Sequence, residues 1–412
     1  GDSILFKKYS PDEIKIKNEE SLFIEDYKNK RGELLDLTTE QVSKIKKTFN
    51  RELSDWESDR SGLEDKLKTW HDLTENVVED YELPFNGASF VHIPIVQIFS
   101  KIYHTVETKS LLSSDSLWYA ESDDKMIDTL LPNIEKYFNY KARVDWKIPD
   151  FLSDCFRLAN RDTLGIGQID YDIETEKTED VLIIGNIEEF DSELPTPESA
   201  GLSEKEWEDY RNKALKANDE NPLEIPIEYE NINYYGPRGC VVELGDFVVL
   251  PATAKDITKS NCRGYGKQFL MTKSELERKA KEGLFYEDQV EKLTSGNQGS
   301  EFNSIEKNKL FAQGLDSTGK SQKYRLFELV YWFDLDDDGA ERKIVFTYSK
   351  EKKILLAARH YLYRTTNFVL FYIDKKTNQL IGSCIPGDLM DLNDAIDLIS
   401  NQRNNSRKIS EV

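Results

Sequence analysis

Apolar residues recur at helical spacing in the first part of the chain. A capping box that starts at Thr38 begins a long helix, and its apolar side continues to about Val78. After Pro94 a second apolar stripe predicts another helix with one buried face. This stripe consists of Ile95, Ile98, Phe99, Ile102 and Val106. Both helices are therefore expected to pack their apolar sides against the protein core.

Two more helices are predicted before the pattern changes. The first covers Asp123–Tyr140, where Pro132 falls in the interior and should kink or break the helix. The second covers Val144–Leu164 and ends at the glycines Gly165 and Gly167. Residues 1–166 are therefore expected to be mostly helical.

From Gly167 onwards, short alternating or apolar runs predict strands. Two such strands are expected on either side of a turn cluster at Tyr235–Gly239. The longer runs Tyr324–Phe333 and Arg342–Tyr348 predict a β-hairpin. Residues 188–221 are acidic and polar, and we interpret them as an inserted surface lobe. Because helices come first and strands follow, the predicted class is α+β.

The last part of the chain combines a short strand with a long helix. The run Asn367–Ile373 predicts the strand, and Asp388 is expected to cap the helix after it. One side of this helix carries the apolar stripe Leu389, Leu392, Ile396 and Ile399. The other side is polar, and its residues Asp391, Asn401 and Asn404 are expected to stay in water. It carries Asp391, Asn393, Asp397, Asn401, Gln402 and Asn404. Near the end, the basic residues Arg403, Arg407 and Lys408 suit the negative pole of the helix dipole.

Composition limits the function classes. The chain has 412 residues, 38% of them hydrophobic, which is enough for two or three domains with cores. Its formal net charge of −22 argues against a protein that grips nucleic acid by bulk positive charge. No apolar run is long enough to cross a membrane. The cysteines lack metal-binding spacing and are interpreted as free thiols in a reducing compartment. They are Cys155, Cys240, Cys262 and Cys384.

One acidic motif has a candidate chemistry. Asp334, Asp336 and Asp338 match the first half of a calcium-binding loop, but Val345 stands where such a loop needs a bidentate glutamate. A hairpin turn between two strands explains the same residues and is the preferred interpretation. A weak cation site at these three aspartates is the alternative.

The other candidate motifs are weak. The pair Gly165 and Gly167 and the pair Gly264 and Gly266 are too short for a phosphate cradle, and we interpret both pairs as turns. His104 lies inside an apolar helical pattern and is interpreted as a core or interface residue. The sequence has no nucleotide-binding Walker motif, and no cofactor is expected.

Several motifs occur in the order found in portal proteins of tailed bacteriophages. The first are the tryptophan-containing run Trp56–Trp70 and the segment 86–94, which reads Asn-Gly-x-x-Phe-Val-His-Ile-Pro. Next come Tyr235-Gly-Pro-Arg238, the helix start at Thr272–Leu276 and the acidic turn at 334–339. From about Trp56 onwards the chain resembles the portals of P22-like podoviruses.

The resemblance implies both an architecture and a structural role. Residues 1–166 would form the helical part of a wing, residues 167–385 its β-rich part, and residues 386–412 the start of a stem helix. The clip, tunnel loop and crown of such portals would lie outside this chain. The stripe from Leu389 to Ile399 would make subunit contacts, and the basic residues from Arg403 to Lys408 would face DNA.

The resemblance also implies partners. A homo-oligomeric, dodecameric ring would assemble in the host cytoplasm and occupy one vertex of the virion capsid. It would contact the major capsid protein, the terminase, a head–tail adaptor and the double-stranded DNA that passes through its channel. Neither enzymatic activity nor membrane binding is implied.

Two other function classes stay open on the sequence alone. The many carboxylates would suit a hydrolase such as a nuclease or glycosidase, although most lie in charge runs typical of solvated faces. The acidic stretch 188–221 would suit a scaffold that binds protein partners. A ring with a central hole in electron micrographs would favour the portal, and a compact monomer would favour the other two.

Overall fold

A computed structural model describes residues 33–77, 85, 87–114, 116–122, 129–194, 196, 204–217, 222–295 and 323–410. In these ranges nine helices combine with two antiparallel sheets, so the predicted α+β class is confirmed. Contacts divide the chain into two compact units. The second unit is Ile169–Gly239, and the first comprises the described residues on either side of it.

The described part of the first unit begins with four helices. They are α1 (Thr39–Glu75), α2 (Ile95–Leu112), α3 (Leu131–Tyr140) and α4 (Ile148–Asp162), with a π-helical turn, Lys141–Asp145, between the last two. The predicted capping box starts α1: the Gln41 amide donates to Thr38 Oγ1 over 3.3 Å, and the Thr38 amide donates to Gln41 Oε1 over 2.9 Å.

The break expected at Pro132 agrees with the structure, because Thr129 and Leu130 form a turn and α3 begins at Leu131. Pro132 lies in the first turn of α3, where its missing N–H would have no intrahelical partner in any case. The predicted start of that helix at Asp123 lies outside the described residues.

A five-stranded sheet forms the centre of the first unit. Its strands are β3 (Phe247–Leu250), β4 (Gly264–Thr272), β5 (Lys323–Phe333), β6 (Arg342–Ser349) and β7 (Ile354–His360), in that order. The predicted hairpin is confirmed as β5–β6. One face packs on α1 through Ile45, Phe49 and Leu53. The other face packs on α7 (Lys273–Lys281) and α8 (Glu287–Thr294).

Both glycine pairs lie in strands, so their interpretation as turns is wrong. Gly264 and Gly266 belong to β4, and a Cβ at Gly266 would lie 1.9 Å from the Glu328 carbonyl oxygen. Gly165 and Gly167 belong to β1 (Gly165–Ile184), and a Cβ at Gly165 would lie 2.0 Å from the Cys155 carbonyl oxygen. These glycines therefore permit a close approach between backbones.

The second sheet has the order β2-β1-β8, with β2 at Leu223–Val242 and β8 at Phe368–Phe371. β2 runs without interruption through Tyr235–Gly239, so the turn predicted there is wrong. The second unit also contains α5 (Ile187–Glu193) and α6 (Glu204–Ala214), whose small core includes Phe190 and Trp207. The stretch 188–221 falls inside this unit.

The last helix, α9, spans Ile385–Ser410. It begins before Asp388, so the expected cap at that residue is wrong. The Gly387 amide donates to Cys384 Sγ over 3.3 Å at the helix start, and Asp388 lies in the first turn. All four cysteines are free thiols, as predicted.

Candidate assembly surface

The polar side of α9 holds the segment 87–95 through a series of side-chain to backbone hydrogen bonds. We call this series the polar ladder. Each bond is donated by a backbone amide of the segment to a side-chain oxygen of α9. The pairs are Ile95 with Asn393 (3.2 Å), Ile93 with Asp397 (2.9 Å), Val91 with Asn401 (2.7 Å) and Ser89 with Asn405 (2.6 Å).

The polar ladder forms because the rise of α9 over four residues matches the advance of the extended segment over two residues. Four residues of an α-helix rise about 6 Å, and two residues of an extended chain advance about 6.6 Å. Acceptors placed four residues apart on α9 therefore meet every second amide of the segment. Asn401 Nδ2 also donates to the Val91 carbonyl over 2.9 Å, and Asp397 Oδ2 lies 2.7 Å from His92 Nδ1.

The polar side of α9 is buried in part, although Asp391 is exposed as expected. Asn393, which belongs to this polar side, is 1% exposed. The apolar stripe, which is expected to make subunit contacts, is open to solvent at Leu392 (51% exposed) and Ile399 (62%), and half-buried at Leu389 and Ile396. The side-chain acceptors of the polar ladder recur every four residues of α9. This spacing is the sequence signal that hydrophobic periodicity does not capture.

Helix α2 is turned opposite to its prediction. Its predicted buried face is exposed, with Phe99 at 53% and Ile102 at 55%, whereas Val96 and Ser100 are buried. Its inner side carries Ser100, His104 and Thr108 at four-residue spacing. Ser100 Oγ, His104 Nδ1 and Thr108 Oγ1 are buried without a hydrogen-bond partner among the described residues.

The inner side of α2 meets α4 through polar contacts. His104 Nε2 lies 3.3 Å from Ser153 Oγ, and Asn160 Nδ2 donates to Glu107 over 2.7 Å. Burial lowers the pKa of His104 and raises that of Glu107, because it disfavours the charged form of each group. The predicted position of His104 in a core or interface agrees with its place in this seam.

An aromatic pocket lies beside α3. A strap, residues 117–120, is held on α3 because Asn139 Oδ1 accepts the Leu117 and Trp118 amides over 2.6 and 3.1 Å. The pocket encloses about 320 Å³. Its apolar lining is Trp118, Tyr119, Ala120, Ile134, Phe138 and Trp146. Several neighbouring aromatic side chains, including Tyr137 and Tyr140, are also exposed.

A comparison with family models identifies the chain. The model of the phage SU10 portal protein matches residues 133–396, which is well over half of the chain. The chain belongs to this portal protein family. No curated protein matches the chain.

Membership of the portal family confirms the resemblance to podoviral portals drawn from the motifs. Portal proteins are structural parts of the phage capsid, so membership places the chain among structural proteins of the virion. The family match covers β1 to β8 and the first part of α9, including the start of the polar ladder at Asn393.

The candidate DNA-facing residues of this portal protein occupy different positions on α9. Lys408 donates to the Gly87 carbonyl over 2.9 Å and so extends the polar ladder. Arg403 and Arg407 are exposed on the last turns. Lys408 therefore helps to hold the segment 87–95.

The acidic turn between β5 and β6 uses its carboxylates internally. Asp334 accepts the amides of Asp338 (3.2 Å) and Gly339 (2.9 Å). Asp336 and Asp338 both pair with Arg342. The predicted hairpin turn is confirmed, and these aspartates hold their own loop and Arg342.

The part of the chain that the structure describes offers neither a metal-binding cluster nor a membrane-spanning helix. Within those ranges no three His, Cys, Asp or Glu side chains cluster so as to hold a metal ion. Among the helices described, none is both long and apolar enough to span a bilayer.

Proposed function

We propose that the chain assembles into a closed ring, dodecameric as in P22-like portals, at one vertex of the capsid. The exposed apolar sides of α2 and α9 are the observation that supports this proposal. Large apolar patches on a soluble protein mark interaction sites, because leaving them in water forgoes the free energy of burial. In the ring, a neighbouring copy covers both helix faces.

The exposed apolar sides of α2 and α9 favour a neighbouring copy over an alternative packing inside one chain. The inner side of α9 is already engaged by the polar ladder, so α9 cannot rotate its apolar stripe inwards without breaking hydrogen bonds to Ile93 and Val91. None of the described residues covers the stripe fully, and a neighbouring copy is the cover that we propose.

The ring forms the channel through which double-stranded DNA enters and leaves the capsid. The terminase docks on it during packaging, the head–tail adaptor docks on it later, and the major capsid protein surrounds it. A net charge of −22 per copy prevents DNA from adhering to the ring. Arg403 and Arg407, repeated in every copy, form a basic belt that guides the phosphates.

Mass photometry and negative-stain imaging of the full chain test the ring. We expect closed rings with a central hole. A compact monomer at every concentration would contradict the proposal. Cleavage of DNA or nucleotides that a single Asp or Glu substitution abolishes would favour the hydrolase class instead.

A further inference from the structure

The aromatic pocket beside α3 has one wall that hydrogen bonds hold in place. This wall is the strap, residues 117–120, whose first two amides donate to Asn139. Asn139 Nδ2 donates back to the Trp118 carbonyl over 3.0 Å, and Glu135 Oε1 accepts the Ala120 amide over 2.8 Å. Both ends of the strap are thus tied to α3. A wall fixed in this way is preorganised, so a ligand that binds against it does not have to order it.

The other wall combines α3 with the residue that follows the π-helical turn. The ring centres of Phe138 and Trp146 lie 6.1 Å apart, with an angle of 56° between the ring planes. Single π-helical turns are rare and occur frequently at functional sites. Lys147, directly after Trp146, has a φ of +49°, which residues other than glycine seldom adopt. Two unusual backbone features therefore flank the indole that lines the pocket.

The lining combines aromatic rings with one charged group. Four of its seven residues are aromatic, and the only ionisable side chain among the others is that of Glu135. Aromatic faces attract cations that come within about 6 Å of the ring centre. Among the described residues, no cation forms an ion pair with Glu135, whose carboxylate keeps acceptor capacity beyond its bond to the strap. The lining therefore has the chemistry of a site for an organic cation.

The carboxylate decides between a cationic and an apolar occupant. An apolar side chain in the pocket would take water away from Glu135 without replacing its interactions, and that desolvation costs free energy. A cation would pair with the same carboxylate. The pocket volume of about 320 Å³ is at the lower end of the range for ligand pockets, so the pocket suits one side chain or a small molecule.

A neighbouring lysine shows the same chemistry inside the chain. Lys141 Nζ lies 5.7 Å from the centre of the Tyr137 ring and 2.5 Å from Asp145 Oδ2. This ammonium group therefore contacts one aromatic ring and one carboxylate at once. The pocket offers the same two kinds of group, but its lining contains neither lysine nor arginine. The matching cation must then come from another molecule.

We propose that the aromatic pocket binds an arginine side chain from a basic segment of another protein. A guanidinium group is planar and weakly hydrated, so it stacks on aromatic rings more readily than an ammonium group does. In this arrangement the rings contact the guanidinium and its alkyl stem, and Glu135 pairs with the charge. The net charge of −22 attracts a basic segment towards the chain. This proposal does not depend on ring formation.

Calorimetric titration of the full chain with the capped tripeptide acetyl-Gly-Arg-Gly-amide tests the proposal. The matched probe is the same tripeptide with citrulline in place of arginine, since citrulline has nearly the same shape but carries no charge. We expect saturable binding of the arginine peptide and at least about tenfold weaker binding of the citrulline peptide.

Two variants connect this binding to the pocket. Trp118→Ala should weaken binding of the arginine peptide by about tenfold. Glu135→Gln keeps an acceptor for the Ala120 amide but removes the charge, so it should weaken binding of the arginine peptide and leave the citrulline peptide unchanged. Tyr140→Ala and Glu121→Gln are the matched controls, because both residues are exposed and neither lines the pocket. Both controls should bind the arginine peptide as the wild type does, and circular dichroism should show all four variants folded.

Several results would overturn the proposal. Equal affinity for the arginine and citrulline peptides would indicate an apolar occupant, and binding of free spermidine without binding of the arginine peptide would assign the pocket to small amines. Loss of rings in Trp118→Ala would indicate that a second copy of the chain covers the pocket. Absence of saturable binding, or wild-type affinity in both Trp118→Ala and Glu135→Gln, would show that the pocket is not an arginine site.

Discussion

At the scale of single residues, Arg60 shows how a buried cation is satisfied by backbone. Its guanidinium donates to the Phe247 and Leu244 carbonyls, both over 3.0 Å, and lies 4.3 Å from the Trp56 ring. Glu64 lies 3.3 Å away on the next turn of α1. The planar fork of arginine reaches two carbonyls at once, which a lysine cannot do. Arg60 thus ties α1 to the loop before β3 and to the start of that strand.

Arg60→Ala should lower the free energy of unfolding by about 3 kcal/mol, because it leaves two buried carbonyls without donors and removes the contact with Trp56. Chemical denaturation of the full chain measures the change. Arg51→Ala is the control, since the Arg51 side chain is exposed, and it should change the free energy by less than about 0.5 kcal/mol. Equal effects of the two substitutions would show that Arg60 is not an anchor.

The acidic turn allows a second prediction at this scale. Asp336→Asn should change the free energy of unfolding by less than about 1 kcal/mol, because its ion pair with Arg342 is solvent-exposed. Asp334→Ala should cost more, since its carboxylate accepts two loop amides. A calcium-dependent rise in melting temperature that Asp336→Asn removes would instead indicate a metal site.

At the scale of elements, the polar ladder should be required for the position of the segment 87–95. Asn401→Ala removes both the acceptor for the Val91 amide and the donor to the Val91 carbonyl. We expect the Val91 amide to exchange with deuterium at least about tenfold faster, which mass spectrometry of peptides from this segment measures. Alanine is a better helix former than asparagine, so lost helix propensity does not explain such a result.

Gln402→Ala serves as the matched control, because Gln402 is the next residue of α9 and is exposed. It should leave the exchange of Val91 unchanged. If both variants protect Val91 as well as the wild type does, the side-chain bonds do not hold the segment.

The elements also show which features the sequence could predict. The capping box at Thr38 and the hairpin β5–β6 depend on neighbouring residues, and both were predicted from local pattern. The turn residues Tyr235–Gly239 lie in β2, where they continue a long strand that pairs with β1, so the tertiary pairing outweighs their local preference. The place of Gly264 and Gly266 in a strand likewise depends on contacts with parts of the chain that are distant in the sequence.

The orientation of α2 and α9 could not be read from hydrophobic periodicity. An apolar stripe predicts that some surface covers it, but it does not predict that this surface belongs to the same chain. In α9 the acceptors from Asn393 to Asn405 take the inner side, because their spacing matches alternate amides. The family match supplies the missing information, since a protein that assembles need not bury every stripe alone.

At the scale of the whole molecule, the exposed stripes make assembly separable from folding. Ile102→Asp and Ile399→Asp each place a charge on a side chain that is more than half exposed in the single chain. The free energy of unfolding of the monomer should therefore change by less than about 0.5 kcal/mol. In the ring the same charge would be buried at a subunit contact without a partner, which costs several kcal/mol per contact. Mass photometry should show monomers in place of rings.

Arg403→Glu with Arg407→Glu is the matched control for that prediction, because these residues lie on the same helix α9 but are assigned to the DNA belt. This variant should form rings as the wild type does and should package or retain DNA poorly, since the belt reverses its charge in every copy. Phage complementation with quantification of packaged DNA measures this second effect. Rings of wild-type yield from Ile102→Asp and Ile399→Asp would exclude the outer sides of α2 and α9 as subunit contacts. Loss of rings in the arginine variant would indicate that the last turns of α9 lie at the subunit interface and not in the channel.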